Sequence, residues 1–457
     1  MIALSLKKEG YRERLIDKQI EEYLKIFGAI SIVGPKWCGK TWTSLAHSNT
    51  VKYINADDKK TLQLAQLDVN QILTGEYPIL IDEWQLVPGI WDSVRRKCDV
   101  DKISGKYILT GSATQKENQI SHSGAGRICK LEMETMSLYE SGDSIGSVSL
   151  KDLFANKKIE NHFVKELSLD DIINLILRGG WPENIDKTSK SSQIIAKSYI
   201  KDILDKDINE IDGVKRDRNK MEMLLKSLAR NESTIASNET LIKDIIENEY
   251  DSINKDTVGE YLNVLDKLHL IQNQSAFNPN IRSRDNIGKS AKRHFNDPSI
   301  ACALLNLNHE KMINDLNTLG FLFESLVERD LRIYAKYNEG ELRHFRNNVT
   351  GLEVDAIVIN EDGEYGAIEI KLGANEIDIL SPKSSVKSIA SIPIEERLNR
   401  ALSLFIIPKN LLNISSNNPL FFNLAFKALS TLSIVVSFDT ITLFIFLFCY
   451  PLYNIII

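Results

Sequence analysis

Five apolar-patterned residues, Ala29 to Val33 (AISIV), run directly into Gly34-Pro35-Lys36-Trp37-Cys38-Gly39-Lys40-Thr41, and a helical stretch follows. This loop satisfies G-x-x-x-x-G-K-[ST] at every fixed position. Its glycines let the backbone curl until several N–H groups point at one place, an arrangement suited to phosphate oxygens. All eight loop residues are therefore candidate nucleotide ligands. Lys40 is expected on the β- and γ-phosphates and Thr41 on Mg²⁺. A buried strand, a phosphate loop and a helix in that order predict an α/β domain built on a parallel sheet.

Two more strands support the same site. YPILIDEW ends its apolar run in Asp82 and Glu83, which a parallel sheet would bring to the carboxyl end beside the loop. Asp82 suits a Mg²⁺-water contact, and Glu83 suits the base that orients the attacking water. KYILTGSA ends in Thr110 and Ser112, where a polar side chain can sense the γ-phosphate. Glycines 124 and 126 then place Arg127 on a tight turn. Two readings stand for it: a guanidinium reaching the phosphates of a neighbouring subunit, which would require a homo-oligomer, or a surface arginine.

The stretches GPKWCGKT, ILIDEWQLVPGIWDSVRRKCD, YILTGSA, SGAGRICKLEMETMSLYESG and GGWPENI together resemble the AAA-type ATPases of bacteria and archaea that carry a C-terminal domain of unknown function numbered 4143. The resemblance runs from about residue 10 to Gly373. It implies an ATP-binding AAA domain, a helical middle with winged-helix character, and a nuclease-like C-terminal domain. It also implies that Lys40, Asp82 with Glu83, and Ser112 take the Walker and sensor roles. Trp37 and Trp42 depart from the small residues expected around such a loop.

The middle reads as helices. SYIKDILDKDINEI spaces Tyr199, Ile200, Ile203, Leu204 and Ile208 on one face. Three further helices follow, the third with Val258, Tyr261, Leu262, Leu265 and Leu268 in one stripe. IQNQSAF and AKRHFND are candidate strands of a wing. Two basic clusters, Lys215, Arg216, Arg218, Lys220 and Arg282, Arg284, Lys289, Lys292, Arg293, would serve phosphate contacts with DNA or remain solvated faces.

Toward the C-terminus, LGFLFESLVERDLRIYAKY is an amphipathic helix with Phe321, Leu322, Leu326, Leu331 and Tyr334 inward. Glu324 lies among them and needs a partner or a metal. The hairpin EVDAIVINEDGEYGAIEIKLG then supplies Asp355 on one strand and Glu369 with Lys371 on the next. Strand alternation turns Glu369 and Lys371 to one face and Ile370 to the other. Glu324, Asp355 and Glu369 are thus candidate metal ligands, and Lys371 a candidate catalytic lysine. The order also fits the D…ExK signature of restriction-endonuclease-like folds. The competing reading is the polar decoration of an ordinary hairpin.

Composition bounds the rest. A chain of 457 residues, with 43% hydrophobic and 26% charged residues, is too long for a single core. The net charge of −6 provides no global basic field, so a nucleic-acid partner would need a local patch. Five scattered cysteines without CxxC pairing and no secretory h-region point to a reduced, cytoplasmic setting. No glycine occurs after Gly373, and the uncharged end TITLFIFLFCYPLYNIII is a marginal membrane span interrupted by Pro451. That tail admits three readings: out-of-frame sequence, a tail anchor, or a buried core segment. A membrane partner is not expected.

The expected organisation is an AAA-type P-loop domain over 1–145, a helical linker over 146–225, a winged-helix-like domain over 226–300, a nuclease-like domain over 301–378 and an apolar tail over 379–457. ATP and Mg²⁺ are the expected ligands. The expected function is nucleotide control of a DNA-associated nuclease-like module. The alternative is a nucleotide-controlled switch that binds a protein partner and cuts nothing.

Overall fold

The computed structural model describes residues 6–54, 59–111, 123–155, 157, 167–249, 253–277, 290–347 and 352–372, and the backbone of two paired strands, Val435–Phe438 and Ile441–Phe444. Ser112, Arg282, Arg284, Lys289 and most of the tail lie outside the described residues. The chain divides into two units. The first comprises residues 1–144, 174–273 and 293–312, the second 145–173, 274–292 and 313–457.

The first unit is built on a five-stranded sheet. Its strands are β1 (Ala29–Val33), β2 (Thr50–Tyr53), β3 (Ile79–Asp82), β4 (Tyr107–Thr110) and β5 (Ile128–Glu132), in the order β2-β3-β4-β1-β5. All four pairings are parallel. Strand alternation sorts the apolar residues onto two faces. Ala29, Ile79, Ile81, Tyr107 and Leu109 pack with Ile90, Trp91 and Val94 of the helix Gly89–Asp101. Ile30, Ile32, Leu80, Ile108 and Leu131 pack with Ile16 and Ile20 of α1 (Ile16–Ile26) and Leu45 of α2 (Lys40–Ala46). A sheet covered on both faces accounts for near-continuous apolar strands such as AISIV. It also leaves the carboxyl ends of β1, β3 and β4 as the place where polar groups meet.

The helical stretch after GGWPEN forms α3 (Ser189–Asp202) and continues through one wide π turn, Ile203–Asp207. Tyr199, Ile200, Ile203, Leu204 and Ile208 are all buried, as their spacing predicts. The three expected helices are α4 (Arg218–Arg230), α5 (Asn238–Glu249) and α6 (Lys255–Lys267). Asp217 caps α4 by accepting from the Asn219 and Lys220 amides, and Asn254 caps α6 through the Thr257 amide. Val258, Tyr261, Leu262, Leu265 and Leu268 are buried in one stripe. Ile271 and Phe295 then form an isolated antiparallel bridge where wing strands were expected.

In the second unit, the 22-residue helix α7 (Leu316–Tyr337) accompanies an antiparallel sheet, β6 (Glu341–Asn347), β7 (Leu352–Ile359) and β8 (Tyr365–Ile368). Asp315 caps α7 through the Thr318 amide, and Leu322, Leu326, Leu331 and Tyr334 are buried. Phe321 departs from the expectation and is 38% exposed. It lies near the N-terminal end of α7, where Leu316 is also exposed, whereas every residue from Ser325 to Ala335 is buried. The β7–β8 turn closes with the Asn360 carboxamide oxygen accepting from the Glu364 amide at 2.9 Å.

Candidate functional site

The loop after β1 owes its path to backbone conformations that few residues tolerate. Gly34 has φ +146°, and a Cβ there would lie 2.1 Å from the Met133 carbonyl oxygen. Gly39, at φ +102°, forms the left-handed step into α2. A buried arginine anchors the loop from outside. Arg14 donates from Nη1 to the Cys38 carbonyl at 2.7 Å and from Nη2 to the Glu134 and Thr135 carbonyls at 2.9 and 3.1 Å. Its Nε donates to Glu140 Oε1 at 3.0 Å. Glu140 in turn accepts from the Leu15 and Ser137 amides and the Ser137 hydroxyl, so every oxygen of this buried carboxylate is satisfied. Sequence reasoning missed both residues. Their signal was slight: an arginine before the first helix and a glutamate in SLYESG.

The chemistry gathers at the ends of β1, β3 and β4. The buried Lys40 ammonium folds back onto its own loop, donating to the Gly34 and Pro35 carbonyls at 2.9 and 2.7 Å. The Thr41 hydroxyl lies 3.3 Å from both oxygens of Asp82. Thr110, the register partner of Asp82 on β4, donates its hydroxyl to Asp82 Oδ1 at 2.5 Å. Asp82 is thereby held in place while its second oxygen stays directed at Thr41. Glu83 occupies the left-handed region at φ 56° and accepts from the Gln85 carboxamide at 2.5 Å. The expected loop lysine, threonine and acidic pair are thus brought together.

Other loop residues do different work. Lys36 turns to the buried Asp207 of the π turn, at 2.5 Å. The Cys38 thiol is buried and faces the Met133 carbonyl. Trp37, at φ 69°, stacks on Tyr199 with ring centroids 5.5 Å apart, and Tyr199 meets Trp181 at 5.3 Å. The loop tryptophan therefore joins the phosphate loop to α3 and to the buried Trp181 of the GGWPEN turn. Arg127 is ion-paired with Asp99 at 2.6 Å within the chain, half-exposed.

The C-terminal carboxylates also converge, but around a cation that sequence reasoning had placed elsewhere. Asp355 on β7 accepts from the Ile370 amide at 2.9 Å. Lys371 pairs with Glu369 at 2.8 Å and lies 3.6 Å from Asp355, so the two ExK charges share a face as expected. Lys292 enters from the other side. It is 3% exposed, in contact with Glu324, 3.3 Å from Glu328 Oε1 and 3.7 Å from Asp355 Oδ1. Burial works against its ammonium, but Glu328, Glu324 and Asp355 outweigh it and hold the charge. Burial raises the Glu324 carboxyl, with Asp355 and Glu328 adding to it and Lys292 opposing; burial and Asp355 likewise raise Glu369. Glu324 thus has its partner, and that partner is a lysine. Among the described residues, no group of three His, Cys, Asp or Glu side chains is arranged to hold a metal. As formed, the space between Glu324, Glu328 and Asp355 holds the Lys292 ammonium.

Lys292 is accordingly a correction to its basic cluster, which reads in the sequence as DNA contacts or a solvated face: its ammonium is buried among carboxylates. Its bridge with Gln274 turns the side chain inward, away from any phosphate backbone. Arg293 donates to the Ala236 carbonyl and to the Asn238 and Asn273 side chains. In the other cluster, Arg216 is buried against Asp212 and Glu260, and Arg218 pairs with Asp205 and Glu222. Arg216 and Arg218 are neutralised within the chain, whereas Arg293 meets only neutral groups. No helix among the described residues is long and apolar enough to cross a membrane.

Three family models match the chain: an AAA domain over residues 27–142, a domain of unknown function (DUF8612) over 169–311, and a domain of unknown function (DUF4143) over 319–394. No curated protein matches. Among solved structures, a Walker-type ATPase of Pyrococcus abyssi is 13% identical, with 67% of this chain aligned to 99% of that one at a TM-score of 0.41. AMPPCP-bound DnaA from Aquifex aeolicus is 16% identical, over 72% of this chain and 98% of its own, at 0.26. A replication initiator DnaA bound to AMPPCP and single-stranded DNA is 14% identical, over 55% and 86%, at 0.27. All three are distant likenesses. The complete phosphate loop, its acidic pair and the two domain matches agree: the chain carries an AAA-type P-loop ATPase domain and a C-terminal DUF4143 domain.

Proposed function

We propose that the chain binds ATP with Mg²⁺ at the phosphate loop, hydrolyses it, and uses the nucleotide state to switch its affinity for a protein partner. The observation that carries the ATP reading is the convergence of Lys40, Thr41, Asp82 and Thr110 at the strand ends. Lys40 would leave two neutral carbonyls for the β- and γ-phosphates. Thr41 would hold Mg²⁺ directly and Asp82 through a coordinated water, an ion that keeps several waters and completes its shell from phosphate. When bound, Mg²⁺ neutralises the charge that develops on the transferred phosphoryl group. Glu83 would take the proton of the attacking water once it exchanges Gln85 for that water. Ser112 is assigned the γ-phosphate sensor. Arg127 would reach a neighbouring copy's phosphates after releasing Asp99, which makes turnover depend on a homo-oligomer. The loop's state would pass to α3 through the stack of Trp37 on Tyr199.

Equilibrium binding of labelled ATP tests this. Lys40→Ala should lose nucleotide binding, and Glu83→Gln should keep binding while turnover falls about 10²–10⁴-fold. Unchanged ATP affinity in Lys40→Ala refutes the assignment.

A protein partner is favoured over DNA because Arg216, Arg218 and Lys292 are spent on carboxylates of the same chain. The second reading, nucleotide control of a DNA-associated restriction-endonuclease-like module, draws on the shared face of Asp355, Glu369 and Lys371. Mg²⁺- or Mn²⁺-dependent nicking of plasmid DNA that disappears in Asp355→Ala would favour it.

A further inference from the structure

A divalent ion bridging a helix carboxylate and a strand carboxylate needs the space between them free of other cations. Between Glu324 and Glu328 of α7 and Asp355 of β7, that space receives the ammonium of Lys292. Glu324 and Glu328 are one helical turn apart and present their carboxylates on one face. Lys292 is not a long side chain that has merely wandered in. Its backbone exchanges two hydrogen bonds with Gln274, at 2.9 and 3.0 Å. The Gln274 carboxamide is itself tied to the Arg343 and Asp355 carbonyls, at 2.9 and 3.2 Å. The segment that delivers the lysine is thereby fastened to β6 and β7, the same sheet that carries the aspartate. Lys371 covers the other side of Asp355.

We infer that Lys292 is the resident cation of this cluster, standing where a divalent metal would bind, so that the carboxylates form a lysine-closed core and not a metal-dependent cleavage centre. A metal entering beside Lys292 would meet an ammonium at contact distance with little solvent to screen it. Expelling the lysine would leave it buried without its three carboxylate partners. The inference is independent of the ATP reading, because it concerns only side chains of the second unit and is tested without nucleotide.

The experiment is a Mn²⁺ titration of the nucleotide-free full-length protein, followed by the loss of the free-ion paramagnetic signal, for wild type, Asp355→Asn, Lys292→Gln and Lys292→Gln/Asp355→Asn. The wild type should bind no Mn²⁺ that Asp355→Asn removes. Lys292→Gln should gain one site, on the order of 100-fold tighter than any in the wild type, and lose it again in the double variant. Its melting temperature should rise with Mn²⁺, whereas that of the wild type should not. An Asp355-dependent Mn²⁺ site in the wild type overturns the inference, as does a folded Lys292→Gln that takes up no ion. If Lys292→Gln does not fold without metal, folding restored by Mn²⁺ supports the inference, and failure to restore it leaves the wild-type titration to decide.

Discussion

Replacing Arg14 by methionine tests whether the phosphate loop is held by one buried guanidinium. The change removes four charged hydrogen bonds, to Glu140, Cys38, Glu134 and Thr135, from a side chain only 4% exposed. Deleting one member of a buried ion pair costs about 3–5 kcal/mol. Glu140 keeps three donors from Leu15 and Ser137, which limits the penalty on its side. Against that, three carbonyls lose their donor at once, so a loss of about 4 kcal/mol is expected. For a unit of this size each kcal/mol moves the melting point by about 2–4 °C, which gives a fall of about 8–16 °C. Circular dichroism melts of Arg14→Met, Glu140→Met and the double variant would measure it. The double variant should be less destabilised than the sum of the singles by about 1–3 kcal/mol, since it leaves no lone buried charge. A fall below about 3 °C in Arg14→Met, or strict additivity in the double variant, would refute the reasoning.

Gly34→Ala should abolish ATP binding in any protein that folds, because the new methyl would lie 2.1 Å from the Met133 carbonyl at φ +146°; unchanged affinity for labelled ATP would contradict the loop path described. Trp37→Ala removes the stack on Tyr199 and should cost about 1 kcal/mol in urea unfolding, and it should leave ATP affinity within about 10-fold while uncoupling nucleotide from partner binding. Asp212 is depressed to about 2 by its bidentate hydrogen bonds from Arg216. The stabilisation it brings is complete above the ordinary carboxylate pKa and is lost as pH falls from about 4 through 2. Asp212→Asn should therefore be the less stable protein at neutral pH, with the gap to wild type closing over that acid window in unfolding titrations.

Legibility followed the range of the interactions. AISIV, ILID and YILT were readable as buried parallel strands because a sheet covered on both faces favours near-continuous apolar runs, broken here only by Ser31 and by the polar strand ends Asp82 and Thr110. The loop was readable because its fixed glycines answer a steric requirement that Gly34 illustrates at the Met133 carbonyl. Helix stripes such as Val258 to Leu268 were likewise visible in periodicity. What stayed hidden depends on contacts between segments far apart in sequence. Arg14 meets Glu140 across 126 positions, and Trp37 meets Tyr199 across 162. Lys292 looked like one more charge in a basic run, since nothing local distinguishes a lysine facing water from one turned inward by a strand bridge. Phe321 was misjudged for a smaller reason: an apolar residue near a helix end fits a loose stripe whether or not anything covers that end.

The contrast between two buried lysines says most about which half of the chain is built to receive a ligand. Lys40 and Lys292 are both nearly inaccessible, 8% and 3% exposed, and both turn their ammonium groups to oxygens of the chain. Lys40 spends its bonds on two backbone carbonyls, dipoles that carry no net charge. A phosphate arriving there exchanges dipoles for formal negative charge, and the lysine gains. Lys292 bonds two carboxylates and is ion-paired with a third, each pair worth about 4 kcal/mol at 4 Å with an effective dielectric of about 20. No anion that enters could offer more, and a cation would have to evict it. The same residue type is thus poised in one unit and already committed in the other. On the proposed reading, the ligand-driven chemistry sits at the phosphate loop, and the C-terminal carboxylates are the charge cluster that Lys292 closes.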